Sequence, residues 1–215
     1  MPICTACLSD NTNLLGVRCF LKKYNANIYG CMYCNLVFVE NPHWLDEAYS
    51  ISYNEDIDTG RYWRNNIICS YISNIYNNGI YTLIDIGSGS EKILENRIKK
   101  SIPNINVTSY DKYFNSDISK LNSKYNILTA IEVVEHIPPK EFWDTYIDKA
   151  NEFIITTGIH DDVADVLDWG YFARDYGQHI NLYSTKTIHY IANKYNMCVS
   201  ITKNSGLNII HYIKK

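Results

Sequence analysis

No apolar run in this chain approaches the roughly 20 residues that cross a bilayer, so no membrane span is expected. Basic residues are not in excess: 20 Lys and Arg against 23 Asp and Glu give a formal net charge of −3 and a pI near 6.1. Without a basic field or a Lys/Arg stripe, a nucleic-acid partner or an anionic membrane is not expected. The start Met1-Pro2-Ile3-Cys4 has none of the features of a secretion signal, so a cytoplasmic location is predicted. Internal repeats and low-complexity tracts are missing as well. What remains is ordinary globular composition, 46% hydrophobic and 20% charged. At 215 residues the chain suffices for one good α/β core and a small appendage that needs a staple of its own.

The seven cysteines suggest that staple. In a reducing compartment they are read as metal ligands or buried apolar residues before disulfides. Four form two pairs, Cys4-Thr5-Ala6-Cys7 and Cys31-Met32-Tyr33-Cys34, with just over 20 residues between them. Each pair can take one face of a tetrahedral ion while the intervening stretch folds as a hairpin over 15–20 and 27–30, which predicts a structural zinc on Cys4, Cys7, Cys31 and Cys34. Reduced, metal-free thiols are the other reading. The glycine usual after the second cysteine of such a knuckle is replaced by Leu8 and Asn35. Asn accepts a left-handed backbone and Leu does not, so the first knuckle is expected to be irregular. Cys19, Cys69 and Cys198 stand alone among apolar residues and are read as core.

Residues 1–40 form this predicted zinc ribbon, closed by Glu40-Asn41-Pro42; 41–79 are a linker and an N-terminal helix; 80–215 are the α/β body. A short helix is expected over 43–50, a polar irregular stretch over 51–59, and a helix over 60–78. In that helix Trp63, Ile67, Ile68, Tyr71, Ile72 and Ile75 make an apolar stripe. Tyr53, Arg61, Tyr62 and Arg64 at its start are read as a solvated helix end, with a cofactor lid as the alternative. The body is predicted as strand 80–86, helix 90–101, strands 105–110 and 126–132, helix 139–150, strand 152–157, helix 184–195, and a closing hairpin of 198–203 with 207–213.

The most informative stretch is Leu83-Ile84-Asp85-Ile86-Gly87-Ser88-Gly89-Ser90, a buried-strand pattern running into a glycine turn. Gly87 and Gly89 allow a sharp turn and close backbone approach to a ligand. Asp111 follows a second strand about 20 residues on, where dinucleotide folds hold a ribose. A third strand ends in Glu132-Val133-Val134-Glu135-His136-Ile137-Pro138. Glu91, at the start of the next helix, disfavours a pyrophosphate there but suits a cationic, phosphate-free cofactor.

By "LIDIGSGS", "SYDKYF" and "ILTAIEVVEHIP" the chain resembles the class I S-adenosylmethionine-dependent methyltransferases. By "CTAC", "CMYCNLVFVENP", "FIITTG" and "WGYFARDYGQHINLYS" it resembles their branch with an N-terminal cysteine knuckle pair, so nearly the whole chain is covered. The resemblance implies a Rossmann-like, mostly parallel sheet with a closing antiparallel hairpin. It also implies S-adenosylmethionine bound at Asp85, Gly87, Ser88, Gly89, Asp111, Lys112, Glu132 and Val133. By the same mapping Asp85 anchors the amino-acid end and Asp111 the ribose. The third glycine of the usual turn is absent, since Glu91 follows Ser90. The family's strand order is 3-2-1-4-5-7-6, but only about 14 residues separate Asp111 from the strand near Asn126, so the edge strand is expected to be trimmed. The adenine pocket would then be shaped by 112–117.

The segment 157–183, unusually long for a loop, carries His160, Trp169, Tyr171, Arg174, Asp175, Gln178 and His179. Methyl transfer to a hydroxyl needs the proton removed, and histidine is the usual base at neutral pH. His179 is the first candidate, with Asp175 orienting its ring; a buried histidine bonded to backbone is the alternative. His136 is the second candidate. The function expected is O-methylation of a small hydroxylated acceptor such as a sugar, nucleotide-sugar or glycan end. Two other readings stay open: a zinc-module RNA base methyltransferase, disfavoured by the acidic balance, and a catalytically silent domain that binds a protein.

Overall fold

A computed structural model of the chain describes residues 1–51, 60–76 and 78–215. Tyr53, positions 52–59 of the expected irregular stretch, and Asn77 lie outside the described residues. The first elements are β1 (Thr12–Phe20), β2 (Tyr24–Cys31), β3 (Val37–Val39), α1 (Leu45–Ile51) and α2 (Arg61–Ile75). Then come β4 (Tyr81–Ile86), α3 (Ile93–Ser101), β5 (Ile105–Tyr110), β6 (Tyr125–Ile131), α4 (Pro139–Tyr146) and β7 (Ala150–Thr156). The chain closes with β8 (Asn181–Leu182), α5 (Thr185–Lys194), β9 (Met197–Asn204) and β10 (Leu207–Lys214). No helix of the described residues is long and apolar enough to cross a membrane.

Two compact units divide the chain, and neither is contiguous in sequence. One comprises Met1–Ile57, Val134–Asp144 and Gly158–Lys194; the other comprises Asp58–Val133, Thr145–Thr157 and Tyr195–Lys215.

The second unit holds a six-stranded sheet in the order β5-β4-β6-β7-β10-β9. β4 runs parallel to β5 and β6, β6 parallel to β7, and β10 antiparallel to both β7 and β9. This is the expected order without the outer strand. Between β5 and β6 the chain makes only a bridge from Asp111 to Asn115 and a short 3-10 turn over Ile118–Asn122. Leu83, Ile84, Asp85 and Ile86 are all buried, as fits a central parallel strand covered on both faces. Ile68, Cys69 and Ile72 of α2 and Leu94 and Ile98 of α3 pack with Leu83, Ile105, Ile127 and Ile154 of the sheet. The buried stripe of α2 is narrower than its apolar pattern: Trp63 and Ile75 are exposed. α3 starts at Ile93 rather than at residue 90, because Lys92 takes a left-handed backbone at φ 49°.

The first unit holds a four-stranded sheet, β1-β2-β3-β8, antiparallel throughout. Its last strand comes from the 157–183 segment, with Val37 opposite Leu182 and Phe38 opposite Asn181. That segment is therefore not a plain loop; it also contains 3-10 turns over Val166–Asp168 and Gly170–Phe172. Phe172 and Leu167 join Phe20, Ile28, Val37 and Trp44 in one apolar core, where Phe20 and Trp44 stack with ring centroids 4.8 Å apart.

Three local expectations are corrected. Leu8 does adopt the left-handed backbone, at φ 63°, beside Asn35 at φ 62°. Both knuckles are regular, with Leu8 N–H donating to the Cys4 carbonyl (3.0 Å) and Asn35 N–H to that of Cys31 (2.9 Å). The conformation costs Leu8 roughly 1–2 kcal/mol. Cys19 and Cys198 are exposed, not core, because strand alternation turns each outward next to a buried Phe20 or Met197; Cys69 is buried as expected.

Candidate functional site

Three groups of side chains carry chemistry, one in the second unit and two in the first. In the second unit the site begins where β4 ends. Gly87 and Gly89 both have positive φ, 70° and 65°, so the chain reverses within three residues. Gly87 and Ser88 donate their N–H groups to the Tyr110 carbonyl at 2.9 and 3.2 Å, which ties the turn to the end of β5. Gly89 donates to Asp111 Oδ2 at 2.9 Å. Asp111 Oδ1 accepts from the N–H groups of Tyr113 (2.9 Å) and Phe114 (3.2 Å), so three amides fix this buried carboxylate. Lys112 lies beside them with its ammonium 5.5 Å from the Tyr113 ring centroid.

The end of β6 supplies the opposite wall. Glu132 has φ 55°, a strained setting for a residue with a side chain. Thr156 holds it: the Glu132 N–H donates to Thr156 Oγ1 at 3.1 Å, and that hydroxyl donates to Glu132 Oε1 at 2.9 Å. Val133 approaches the turn so closely that a Cβ on Gly87 would stand 2.5 Å from its Cγ2. Asp85, 3% exposed, lies beneath, accepting a hydrogen bond from Thr129 at 2.7 Å. Burial pushes its carboxyl up to about 7, opposed by the Thr129 hydrogen bond and reinforced by the charges of Glu95 and Asp111. Glu91 is clasped by Arg61 (3.2 Å) and by the Tyr62 hydroxyl (2.6 Å), so the start of α2 is neither simply solvated nor without a partner at the turn. All eight cofactor candidates thus lie on β4, β5 and β6 or just beyond their carboxyl ends, at the point where strand order reverses and open α/β sheets take ligands. The fixing hydroxyls of Thr129 and Thr156 carried no signal in the sequence beyond a strand-former's pattern.

In the first unit, His179 and His136 come together with ring centroids 4.9 Å apart. Glu135, which the sequence reading passed over, completes the group: it is fully buried, accepts from the Tyr171 hydroxyl at 2.6 Å, and lies 4.0 Å from His179 Nε2. Its one sequence cue was its place beside His136 after a strand. Hydrogen bonds to backbone carbonyls hold the two segments side by side. Ile180 N–H donates to the Glu135 carbonyl at 2.9 Å, Asn181 Nδ2 to that of Ile137 at 3.0 Å, and the Tyr183 hydroxyl to that of Val134 at 3.2 Å. His179 Nδ1 meets the Tyr171 carbonyl at 2.5 Å. A carbonyl only accepts, so Nδ1 carries the proton and Nε2 is the basic nitrogen of the neutral ring. This carbonyl orients the ring. Asp175 is exposed, in a turn flanked by left-handed Ala173 and Gly177. His136 Nε2 is buried without a hydrogen-bond partner among the described residues, and burial, with His179 nearby, holds its pKa well below the usual value. His160 supports the second knuckle through a 3.0 Å contact of Nε2 with the Asn35 carbonyl.

The four paired cysteines converge. Cys4 and Cys34 Sγ lie 3.5 Å apart and Cys7 and Cys31 Sγ 3.4 Å apart, with all four within 4.8 Å of one another. A tetrahedral ion with Zn–S bonds near 2.3 Å separates its sulfurs by about 3.8 Å, so this set fits zinc with small adjustments. α5 braces the knuckles, with Thr187 Oγ1 donating to the Cys34 carbonyl at 2.8 Å and Lys194 Nζ to that of Ala6 at 3.3 Å.

Comparison with known proteins bears on the fold and the family. No curated protein matches the sequence. Magnesium protoporphyrin IX methyltransferase from Synechocystis, solved with S-adenosylhomocysteine bound, is similar at TM-score 0.53 and 12% identity, over 79% of this chain and 94% of that one. An O-methyltransferase family protein from Burkholderia thailandensis is similar at TM-score 0.56 and 12% identity, over 81% and 68%. An S-adenosylhomocysteine-bound methyltransferase of calicheamicin biosynthesis gives 0.57 and 9%, over 82% of this chain but only 61% of its own length. At such identities the likeness is one of fold, the Rossmann-like fold of class I methyltransferases. A family model described as a methyltransferase domain matches residues 62–199, more than half of the sequence. The chain therefore belongs to the methyltransferase domain family.

Proposed function

We propose that this protein transfers a methyl group from S-adenosylmethionine to a hydroxyl of a small acceptor such as a sugar, nucleotide-sugar or glycan end. The observation that carries the cofactor assignment is the convergence of Gly87, Gly89, Asp111, Glu132 and Val133 at the strand-order reversal. Asp111 would bind the ribose hydroxyls, Asp85 the amino-acid end, and Lys112 and its neighbours the adenine side. The cofactor supplies an electrophilic methyl group on a cationic sulfur. The protein's share is to position the acceptor oxygen in line with it and to take up the hydroxyl proton as the carbon–oxygen bond forms. His179 Nε2 is assigned that proton, with His136 and Glu135 beside it. The aromatic and polar side chains of Trp169 and Tyr171 suit a hydroxylated acceptor. A structural zinc on Cys4, Cys7, Cys31 and Cys34 would fix the N-terminal sheet, and the sulfur geometry supports it.

The test is a methyl-transfer assay over nucleotide-sugars and simple glycosides. General-base help is typically worth 10²–10⁴-fold, so His179→Gln should lower kcat by that order and leave S-adenosylhomocysteine affinity unchanged. A variant keeping a third of parental kcat removes His179 from the chemistry.

A further inference from the structure

Two clusters in the first unit have metal-ligand spacing, and they differ in kind. The four cysteines offer a closed set of soft donors. Glu135, His136 and His179 offer one carboxylate oxygen and two imidazole nitrogens, all within 4.8 Å of one another. Three protein ligands leave positions open, the arrangement of catalytic rather than structural sites.

We propose that Glu135, His136 and His179 bind one divalent first-row transition cation, making a second metal site distinct from the cysteine cluster. Four observations carry it. First, His136 Nε2 is buried and makes no hydrogen bond among the described residues, a costly arrangement for a polar atom unless something else occupies that position. Second, the His179 ring is locked through Nδ1 to the Tyr171 carbonyl, which leaves Nε2 as the ligating nitrogen and reproduces the second-shell bond that metal-bound histidines make. Third, the Tyr171 hydroxyl orients the Glu135 carboxylate at 2.6 Å while occupying one of its roughly four lone-pair positions. Fourth, the bonds from the Ile180 N–H to the Glu135 carbonyl and from the Asn181 side-chain amide to the Ile137 carbonyl fix both ligand-bearing segments before any ion arrives. Two imidazoles with one carboxylate suit Mn²⁺ to Zn²⁺ better than Mg²⁺ or Ca²⁺, which take all-oxygen sets.

The role of the ion, as distinct from its presence, rests on the O-methyl-transfer reading above. With the ion bound, a hydroxyl brought to it has a lowered pKa and loses its proton to solvent, so the base role given to His179 Nε2 above applies to the metal-free protein.

The experiment starts from full-length protein given a single equivalent of zinc, which the four soft thiolates take first, and titrates Mn²⁺ while the six-line resonance of the free ion is followed. One equivalent should bind. Glu135→Gln and His179→Gln, each shown by circular dichroism to be folded, should weaken Mn²⁺ binding at least tenfold. No Mn²⁺ or Co²⁺ binding beyond the zinc, or parental affinity in both variants, overturns the site. If one variant does not fold, the other decides. S-adenosylhomocysteine binding measured on the same samples separates the two ideas: Mn²⁺ bound without cofactor leaves the site standing and sinks the methyl-transfer reading, and cofactor without Mn²⁺ does the reverse.

Discussion

Gly87 and Gly89 share nearly the same backbone, φ 70° and 65°, yet differ in what surrounds them, and that difference can be measured. A Cβ on Gly87 would meet Val133 Cγ2 at 2.5 Å, whereas nothing lies within 4 Å of one on Gly89. Alanine in the left-handed region costs roughly 1–2 kcal/mol at either position. Forcing a methyl against Val133 adds about 1–3 kcal/mol, the usual cost of overpacking. Gly89→Ala should therefore lose about 1–2 kcal/mol and Gly87→Ala about 2–5 kcal/mol in urea unfolding. Adding Val133→Ala to Gly87→Ala should return the excess as a coupling energy, because the two sites touch. Calorimetry with S-adenosylhomocysteine gives the second readout. Gly89→Ala places its methyl in the open space where the cofactor is assigned, so affinity should fall at least tenfold despite the milder loss of stability. Equal destabilisation by the two alanines, or additivity with Val133→Ala, refutes the steric argument. Parental affinity in Gly89→Ala refutes the placement of the ligand against this turn.

Purified protein should contain one zinc per chain, and Cys31→Ser should lose it; less than about half an equivalent in the parent, with no change in the variant, counts against the cluster as a metal site. Asp111→Ala should weaken S-adenosylhomocysteine binding by roughly 2 kcal/mol, the scale of a lost charged hydrogen-bond partner, and unchanged affinity moves the ribose elsewhere. Asp85 has a folded-state pKa of about 7 against an ordinary 3.8, so the folded state binds more protons between those values and ligand-free stability falls as pH rises from about 4 to 7. If the ionised form pairs with the cationic amino-acid end, S-adenosylhomocysteine should bind more tightly as pH rises through 7, and Asp85→Asn should abolish that slope in calorimetry.

The six-stranded sheet was legible because its central strands, such as 83–86 and 127–130, are apolar but for Asp85 and Thr129, close to the mark of parallel strands buried on both faces. The missing edge strand was legible from chain length alone. The turn at Gly87 was legible because its backbone demands glycine, and the cysteine pairs because metal spacing is local. Less visible were contacts that join distant segments through few residues. Two residues of β3 pair with two of β8, too short for any periodicity to register. Glu135 and Tyr171 meet across 36 positions by one hydrogen bond. Leu8 went the other way: closure of the knuckle overrode a side-chain preference worth only about 1–2 kcal/mol. The exposure of Cys19 and Cys198 was within reach, since alternation from Phe20 and Met197 sets it.

The pairing of β3 with β8 has a consequence for how the chain is made. Val37–Val39 leaves the ribosome early, but its partner Asn181–Leu182 is more than 140 positions later. At synthesis rates of about 5–20 residues per second, the open edge of β3 waits roughly 7–30 s for its neighbour. During that interval the nascent N-terminal hairpin has an unsatisfied strand edge, the kind that recruits other chains. Nascent chains halted before residue 181 should therefore be cleaved by protease within the first 40 residues, and chains released beyond 185 should resist.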